Sequence, residues 1–236
     1  MRIDVLGVGF DNLTLKEAVE KASRLRGGYV VTPNPEIVWM ARKDGKLRQA
    51  LHDASMVLPD GIGIIYGARM LSRPLKSRVP GIDFASAFIE KLASENKKIF
   101  LFGAKPGVAE LAAEKLKEKY TGLDICGTAH GYSTDDVPVI AAINEAKPDF
   151  LLVCLGAPKQ EIWMHEHAGK VSAGLMAGLG GVLDVYAGVA ERAPEAWRRA
   201  GFEWLYRLIK QPSRFKRMLK LPLFLFAVIG QRIRDD

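Results

Sequence analysis

Residues 149–161 have the sequence DFLLVCLGAPKQE, in which a short apolar run ends at a glycine and passes into a charged stretch. An apolar run of this length, bounded by a turn former, is typical of a strand covered on both faces of a parallel sheet. Helical patterns separate this strand from the other runs of the same kind, and this alternation predicts βαβ units. We therefore expect an α/β, Rossmann-like fold with a mostly parallel sheet flanked by helices. Four further runs are predicted strands: residues 29–32, 55–58, 97–103 and 173–180.

Three helices are predicted from signals at their starts. Residues 14–25 open with Thr14 and have Glu17 three positions later, which is a capping box. Residues 106–120 begin with a proline, which we expect in the first turn, and they have an apolar stripe. A third helix is predicted over residues 82–95.

The pattern changes near residue 190, where strands give way to consecutive helical segments. Residues 191–236 contain eleven Lys and Arg against five Asp and Glu, a net charge of +6 out of +7 for the whole chain. We therefore divide the chain into an α/β core that would hold the catalytic site, residues 1–190, and a basic helical C-terminal appendage, residues 191–236. No repeat or low-complexity linker separates the two, so the appendage is expected to pack on the core.

The appendage combines basic and aromatic side chains at helical spacing and continues into an apolar run, residues 221–229. Such a segment favours contact with an anionic membrane surface. The run is interrupted by Pro222 and falls short of the roughly 20 residues that span a bilayer. A core-packed helix with a solvated basic face is the alternative.

Several classes of site are disfavoured by the composition. Cys126 and Cys154 do not form a CxxC pair, so we expect reduced, buried side chains rather than a redox or zinc site. Asp4 interrupts the apolar N-terminus, so no secretory signal is predicted.

A metal site is not predicted either. The chain has no DxD motif, and His165 and His167 are two positions apart on a predicted helix, so they face different directions. His130 follows a strand and either lines the cleft or has a structural role. We predict no metal and no cofactor. The negative charge of a leaving group would then be stabilised by Arg, Lys and helix termini.

Polar or glycine-rich segments follow all five predicted strands. In a doubly wound sheet, ligands bind outside the carboxyl ends of the strands. The segments therefore predict one shared binding site: TPNPE (32–36), PDGIG (59–63), GAKPG (103–107), GAPKQE (156–161) and GLGG (178–181).

Three side chains are candidates for chemistry: two lie in these loops, and Arg78 lies in a separate loop, KSRVPGID (76–83). Asp60, at a rigid strand end before two glycines, is either a general base toward a hydroxyl or a helix N-cap. Arg78 either holds a phosphate bidentately or is an ordinary solvated loop residue. Gln160 lies in the first turn of a predicted helix, where backbone N–H groups suit a phosphate, although an ordinary strand-to-helix turn has the same pattern.

The loops and the charge of the chain raise two functional classes that the sequence can be tested against. A nucleotide-dependent oxidoreductase would need GxGxxG followed by an acidic residue about twenty positions later. Neither GAPKQE (156–161) nor GLGG (178–181) provides this pattern. Thermal shifts with NAD and with UDP would separate such an enzyme from one that binds UDP. A nucleic-acid-binding protein is suggested by the pI of about 9.4, but it leaves the five loops unexplained. It would show a steep salt dependence in filter binding.

Seven segments resemble the WecG/TagA/CpsF glycosyltransferase family in order and spacing, over nearly the whole chain. They are TPNPE, LPDGIG, RVPGID, GAPKQE, GLGG to Asp184, RAPEAWRR and the FEWLYRL–P–R–KRM region. The resemblance implies inverting transfer of N-acetylmannosamine, or its uronic acid, from a UDP-sugar to N-acetylglucosamine on undecaprenyl diphosphate. It implies a role in teichoic acid or surface-polysaccharide synthesis, for a peripheral protein at the cytoplasmic face of the membrane. The exact donor and the oligomeric state, including a homo-oligomer, stay open.

The resemblance also implies roles for individual residues. Asp60 would be the general base that activates the acceptor hydroxyl. Thr32 and Asn34 would line the sugar pocket, and Arg78 and Gln160 would lie beside the donor. The family also lacks a DxD motif, in agreement with the metal-free interpretation. Three arginines of the appendage would close over the site and contact the lipid diphosphate: Arg207, Arg214 and Arg217.

Overall fold

A computed structural model of the protein describes residues 1–210, 215 and 220–235. Arg214 and Arg217 lie outside the described residues, as do Pro212 and the side chain of Arg207. Within the described part the strands are β1 (Arg2–Val5), β2 (Val8–Asp11), β3 (Tyr29–Val31), β4 (Met56–Val57), β5 (Lys98–Gly103), β6 (Asp124–Ala129), β7 (Phe150–Cys154) and β8 (Leu175–Gly178).

The helices of the same residues alternate with these strands and then follow one another at the C-terminus. They are α1 (Leu15–Arg24), α2 (Pro35–Ala41), α3 (Gly45–Asp53), α4 (Ile62–Met70), α5 (Gly81–Ser94), α6 (Val108–Lys119), α7 (Val137–Ala146), α8 (Lys159–His167), α9 (Val182–Tyr186), α10 (Glu195–Arg199), α11 (Glu203–Lys210) and α12 (Lys220–Asp235).

Six strands form one parallel sheet in the order β4–β3–β8–β7–β5–β6. This confirms the predicted α/β fold, and each of the five predicted strands is present. Successive residues of β7 face opposite sides of the sheet. Leu152 belongs to the hydrophobic cluster to which α1, α5, α6 and α9 contribute, whereas Leu151 and Val153 belong to the cluster of α2, α3, α4, α7 and α8. Both faces are therefore buried, which is why the strands are continuously apolar.

The N-terminal hairpin of β1 and β2 was not predicted. Its strands are antiparallel and pair Val5 with Val8 across a tight turn. Leu6 and Gly7 have φ values of +57° and +82°, which two-residue hairpins of type I′ require. The signal available in the sequence was the alternation of apolar and polar residues around Gly7.

The predicted helix starts were partly right. Thr14 and Glu17 form the capping box, with Glu17 N donating to Thr14 Oγ1 at 3.3 Å and Thr14 N donating to Glu17 Oε2 at 2.7 Å. The placement of Pro106 in a first turn was wrong. Gly107 is the N-cap of α6 and has a φ of +84°, so the proline lies outside the helix.

The two cysteines differ in burial. Cys154, on the central strand β7, is buried, and burial raises the pKa of its thiol to about 12. Cys126 lies on the edge strand β6 and is only half-buried, so the expectation that both are buried was wrong for this residue. An edge strand has one side that no other strand covers.

The described part of the appendage packs on the core, as expected. Pro222 does not interrupt α12, because it lies in the first turn, where a missing N–H is tolerated. Phe224 and Val228 are fully buried against the sheet's helical layer. A Cβ at Gly67 of α4 would come within 3.2 Å of Phe224 Cζ, so this glycine allows the two helices to approach closely. The boundary at residue 190 stays a prediction.

Among the described residues, no helix has the length and apolarity needed to cross a bilayer.

Candidate active site

The loops after the strands share one edge of the sheet. Backbone hydrogen bonds continue between neighbouring strands beyond their ends, so the predicted convergence of the five loops is correct. Four such hydrogen bonds, each given as donor to acceptor, are Leu58 N to Val31 O at 2.9 Å, Leu179 N to Val153 O at 3.0 Å, Ala104 N to Cys154 O at 3.0 Å and Gly131 N to Ala104 O at 2.9 Å.

Asp60 lies on this edge, just beyond the end of β4. Its backbone N donates to Pro33 O at 3.3 Å, and Val79 N donates to Pro59 O at 2.8 Å. The residue is thus held between the segment that follows β3 and the loop that precedes α5. The N-cap of α4 is Gly61, with a φ of +82°, so Asp60 precedes the cap position and the alternative interpretation as a helix N-cap was wrong.

Thr32 and Asn34 follow β3, the neighbour of β4. Thr32 is 8% exposed, and a Cβ at Gly81 would come within 3.1 Å of its Oγ1. The hydroxyl therefore lies directly beneath the first turn of α5. Asn34 caps α2, because its Oδ1 accepts a hydrogen bond from Ile37 N at 3.0 Å. Asn34 thus has a structural role in addition to any role in sugar binding.

Arg78 forms an ion pair that the sequence did not predict. Its Nη1 lies 3.7 Å from Oε2 of Glu203, and the two side chains are 18% and 10% exposed. Glu203 is the first residue of α11, so the appendage reaches the site through this contact. No spacing rule connects the two residues, since only the fold brings them together. A mostly buried pair loses much stabilisation when one partner is removed.

Gln160 lies in the first turn of α8, as predicted, but its side chain is turned into the protein and is 3% exposed. Its Oε1 accepts a hydrogen bond from Gly180 N, and its Nε2 donates to Glu161 Oε1, both at 2.9 Å. Glu161 is 1% exposed, and burial raises the pKa of its carboxyl to about 7. Glu161 belongs to the GAPKQE segment but was not among the predicted site residues.

Several helices that begin at this edge have first-turn N–H groups without a side-chain acceptor. Within residues 1–210, α4, α5, α6, α8 and α9 have glycine or proline at the N-cap and no side-chain cap. By contrast, side chains cap α1, α2 and α3. Uncapped N–H groups and the helix dipole suit an anionic ligand such as a diphosphate.

Asp60 and Gln160 lie at different places along this edge. Asp60 follows β4 and Gln160 follows β7, three strands further along the sheet. With neighbouring strands about 4.8 Å apart, the two strand ends are separated by about 14 Å.

The three histidines singled out in the sequence, His130, His165 and His167, have different partners. His165 Nδ1 lies 3.7 Å from Asp53 Oδ2, whereas His167 Nε2 lies 4.0 Å from Asp136 Oδ2, so the two point apart as expected. His130 Nδ1 accepts a hydrogen bond from the backbone N of Tyr132 at 3.2 Å, which gives it a structural role in the loop after β6. In the described part of the chain, no group of three His, Cys, Asp or Glu could hold a metal ion. Metal independence stays a prediction.

A Rossmann-like sheet with such an edge is the architecture of many nucleotide-dependent α/β enzymes. The chain matches the model of the Glycosyl transferase WecG/TagA/CpsF family over residues 3–236, and it belongs to that family of glycosyltransferases. The resemblance seen in the sequence is thereby confirmed, and with it the class of enzyme.

Two relatives have the same name, N-acetylglucosaminyldiphosphoundecaprenol N-acetyl-beta-D-mannosaminyltransferase. The protein of Bacillus spizizenii is 35% identical over 204 residues, which cover 86% of this chain and 79% of the relative. The protein of Staphylococcus aureus strain MW2 is 33% identical over 234 residues, which cover 96% of this chain and 92% of the relative.

Proposed function

We propose that this protein is an inverting hexosyltransferase that moves N-acetylmannosamine, or its uronic acid, from a UDP-sugar to N-acetylglucosamine on undecaprenyl diphosphate. The product would serve teichoic acid or surface-polysaccharide synthesis. The names of the two relatives support the substrates. The structural observation that carries the proposal is the position of Asp60, a carboxylate on the same sheet edge as the uncapped helix starts.

The proposed reaction is a single displacement. The acceptor hydroxyl oxygen attacks the anomeric carbon while the carboxylate of Asp60 takes the hydroxyl proton. The bond between the anomeric carbon and the UDP oxygen breaks, and UDP leaves with the electron pair. Attack from the side opposite UDP inverts the anomeric configuration. The growing charge on UDP is stabilised by Arg78 and by the first-turn N–H groups of the helices.

In this proposal the other predicted residues bind the substrates around the reacting atoms. Thr32 and Asn34 line the sugar pocket beside Asp60, and Gln160 lies toward the donor. Glu203 holds the guanidinium of Arg78 in position through their ion pair. Three arginines of the appendage contact the lipid diphosphate in this proposal: Arg207, Arg214 and Arg217.

A donor screen tests the function. The full-length protein is incubated with several UDP-sugars and a short-chain lipid diphosphate of N-acetylglucosamine, and products are identified by mass spectrometry and by NMR of the anomeric proton. We expect a β-linked disaccharide from UDP-N-acetylmannosamine or its uronic acid. Transfer from none of the donors would contradict the proposal, and an α-linked product would exclude the inverting displacement.

Chelation tests the absence of a catalytic metal. The reaction proposed here uses only side chains and backbone N–H groups, so excess EDTA is expected to change the transfer rate by less than about twofold, against the roughly 100-fold or larger loss that follows removal of a strong electrostatic stabiliser. The rate is measured before and after EDTA treatment and after Mg²⁺ is added back. Loss of activity that Mg²⁺ restores would show that a metal takes part.

We further propose that α12 lies on an anionic membrane surface at the cytoplasmic face. Four apolar side chains of this helix are exposed: Leu223 (47%), Phe226 (71%), Ile229 (43%) and Ile233 (72%). Their three- and four-residue spacing places them on one face, which we call the apolar stripe. The opposite face is buried in the core through Phe224 and Val228. A helix fixed by one face and apolar on the other suits binding to a membrane surface.

Charge substitutions in the apolar stripe test this surface. Phe226→Glu combined with Ile233→Glu is expected to weaken binding to anionic phospholipid vesicles by more than about tenfold, because each buried side chain contributes about 1.5–3 kcal/mol. Co-sedimentation measures the bound fraction. Val137→Glu is the matched control, since Val137 is 70% exposed but lies on α7. Equal binding by the double variant and the control would place the membrane contact elsewhere.

A further inference from the structure

Glu161 is a carboxyl group in a place that does not favour charge. It is 1% exposed, and Oε2 has no hydrogen-bond partner among the described residues. Burial without such a partner costs stability, more for an ionised carboxylate than for a neutral acid. The neutral form is favoured here, since burial raises the pKa to about 7.

Glu161 is connected to the sheet edge through Gln160. The Nε2 of Gln160 donates to Glu161 Oε1, and the Oε1 of Gln160 accepts from Gly180 N, so both ends of the amide are engaged. The side chain passes close to β8: a Cβ at Gly178 would come within 3.3 Å of Gln160 Cγ and Cδ. The amide therefore has a fixed place between α8 and the loop that leads into α9.

The burial and the hydrogen bonds of Gln160 limit its contact with a ligand. At 3% exposure, and with both ends of its amide in internal hydrogen bonds, it has little surface for a ligand. Gly180, by contrast, is partly exposed at the end of β8 and precedes the uncapped start of α9. This backbone segment forms part of the carboxyl edge of the sheet.

We propose that Gln160 and an uncharged Glu161 form a buried positioning pair that fixes the Gly180 backbone at the donor end of the active site. The pair acts through the loop, and neither side chain has to touch the reacting atoms. The role at the donor rests on the proposed function, whereas the effect on Gly180 does not.

Two replacements of Glu161 separate positioning from simple packing. Glu161→Gln keeps an oxygen that can accept from Gln160, so it is the conservative replacement. Glu161→Leu removes the acceptor of the Gln160 Nε2 group, which costs stability, and also removes a buried polar group, which offsets that cost, so we expect a melting temperature close to that of the wild type. A purely structural role would predict no functional loss in such a stable variant.

Hydrogen exchange of the Gly180 amide, followed by NMR in the full-length protein, reports on the pair without any substrate. We expect exchange at least tenfold faster in Glu161→Leu and near the wild-type rate in Glu161→Gln. In transfer assays the KM for the UDP-sugar should rise at least tenfold in the leucine variant, with a smaller change in kcat. Gln160→Leu should show the same two effects, which keeps the test informative if Glu161→Leu does not fold.

Clear outcomes would overturn the proposal. Wild-type Gly180 exchange in the folded leucine variants would show that the pair does not hold this loop. The same losses in Glu161→Gln as in Glu161→Leu would show that an accepting oxygen is not the requirement. A ¹³C carboxyl signal of an ionised Glu161 in the wild-type protein at pH 6 would exclude the uncharged form. The leucine variants could show faster Gly180 exchange while the wild-type protein transfers no sugar. In that case the positioning pair stands and the proposed function is refuted.

Discussion

Asp60→Asn is expected to lower the rate of sugar transfer by about 10²- to 10⁴-fold, which is the usual contribution of a general base. The amide has nearly the size of the carboxylate, but it cannot take a proton from the acceptor hydroxyl. In the proposed displacement Asp60 acts on the acceptor side of the anomeric carbon, opposite UDP, and does not itself bind UDP. We therefore expect the Kd for UDP, measured by calorimetry, to stay nearly unchanged.

A carboxylate at the opposite edge of the sheet provides the matched control. Asp124 is exposed at the amino end of β6, so Asp124→Asn removes the same charge far from the proposed site. It should transfer sugar at the wild-type rate. Asp60→Asn with near-normal turnover would remove Asp60 from the role of base, and a large loss of UDP binding would mean that it has a different role.

Phe224→Ala is expected to lower the free energy of unfolding by about 3–5 kcal/mol, the usual cost of truncating a buried phenylalanine. Phe224 is fully buried against α4, where Gly67 leaves room for its ring. Phe226→Ala, two residues further along the same helix, removes a ring that is 71% exposed. It should change stability by less than about 0.5 kcal/mol. Denaturant unfolding of both variants measures the difference.

The two phenylalanines also separate folding from membrane binding. Phe226→Ala should weaken vesicle binding without loss of stability. Phe224→Ala should lower the stability but leave vesicle binding unchanged as long as the protein remains folded. Equal stability losses in the two variants would contradict the packing of α12 described here. Shortening the chain near residue 195 is a less informative experiment. It would remove the buried face of α12 and Glu203, the partner of Arg78, together with the apolar stripe.

The fold was predictable because the strands that form it are covered on both sides. A run such as residues 150–154 has to be apolar at every position, since Leu151 and Leu152 face different helical layers. The loops that follow were predictable for a related reason, because parallel strands all end at the same edge. That rule placed Thr32, Asp60 and Gln160 on one edge without any knowledge of distances.

Contacts between distant segments could not be predicted in the same way. The pairing of Arg78 with Glu203 depends on how α11 folds back over the core, and no local pattern encodes it. The inward turn of Gln160 depends on Gly178, where the absence of a side chain lets α8 approach β8. The sequence thus indicated which loops share the sheet edge, whereas contacts between distant segments and the orientation of individual side chains required the structure.

The most direct test of the account is a crystal structure of the protein with UDP. The account predicts that the diphosphate lies on the carboxyl edge of the sheet, against the first-turn N–H groups of the helices that begin there, and that Arg78 contacts it. Asp60 should face the space beyond the terminal phosphate, where the sugar would be attached. UDP bound instead in the cavity of about 320 Å³ between α5, α6 and α9, which Lys115, Lys119 and Arg192 line, would contradict it.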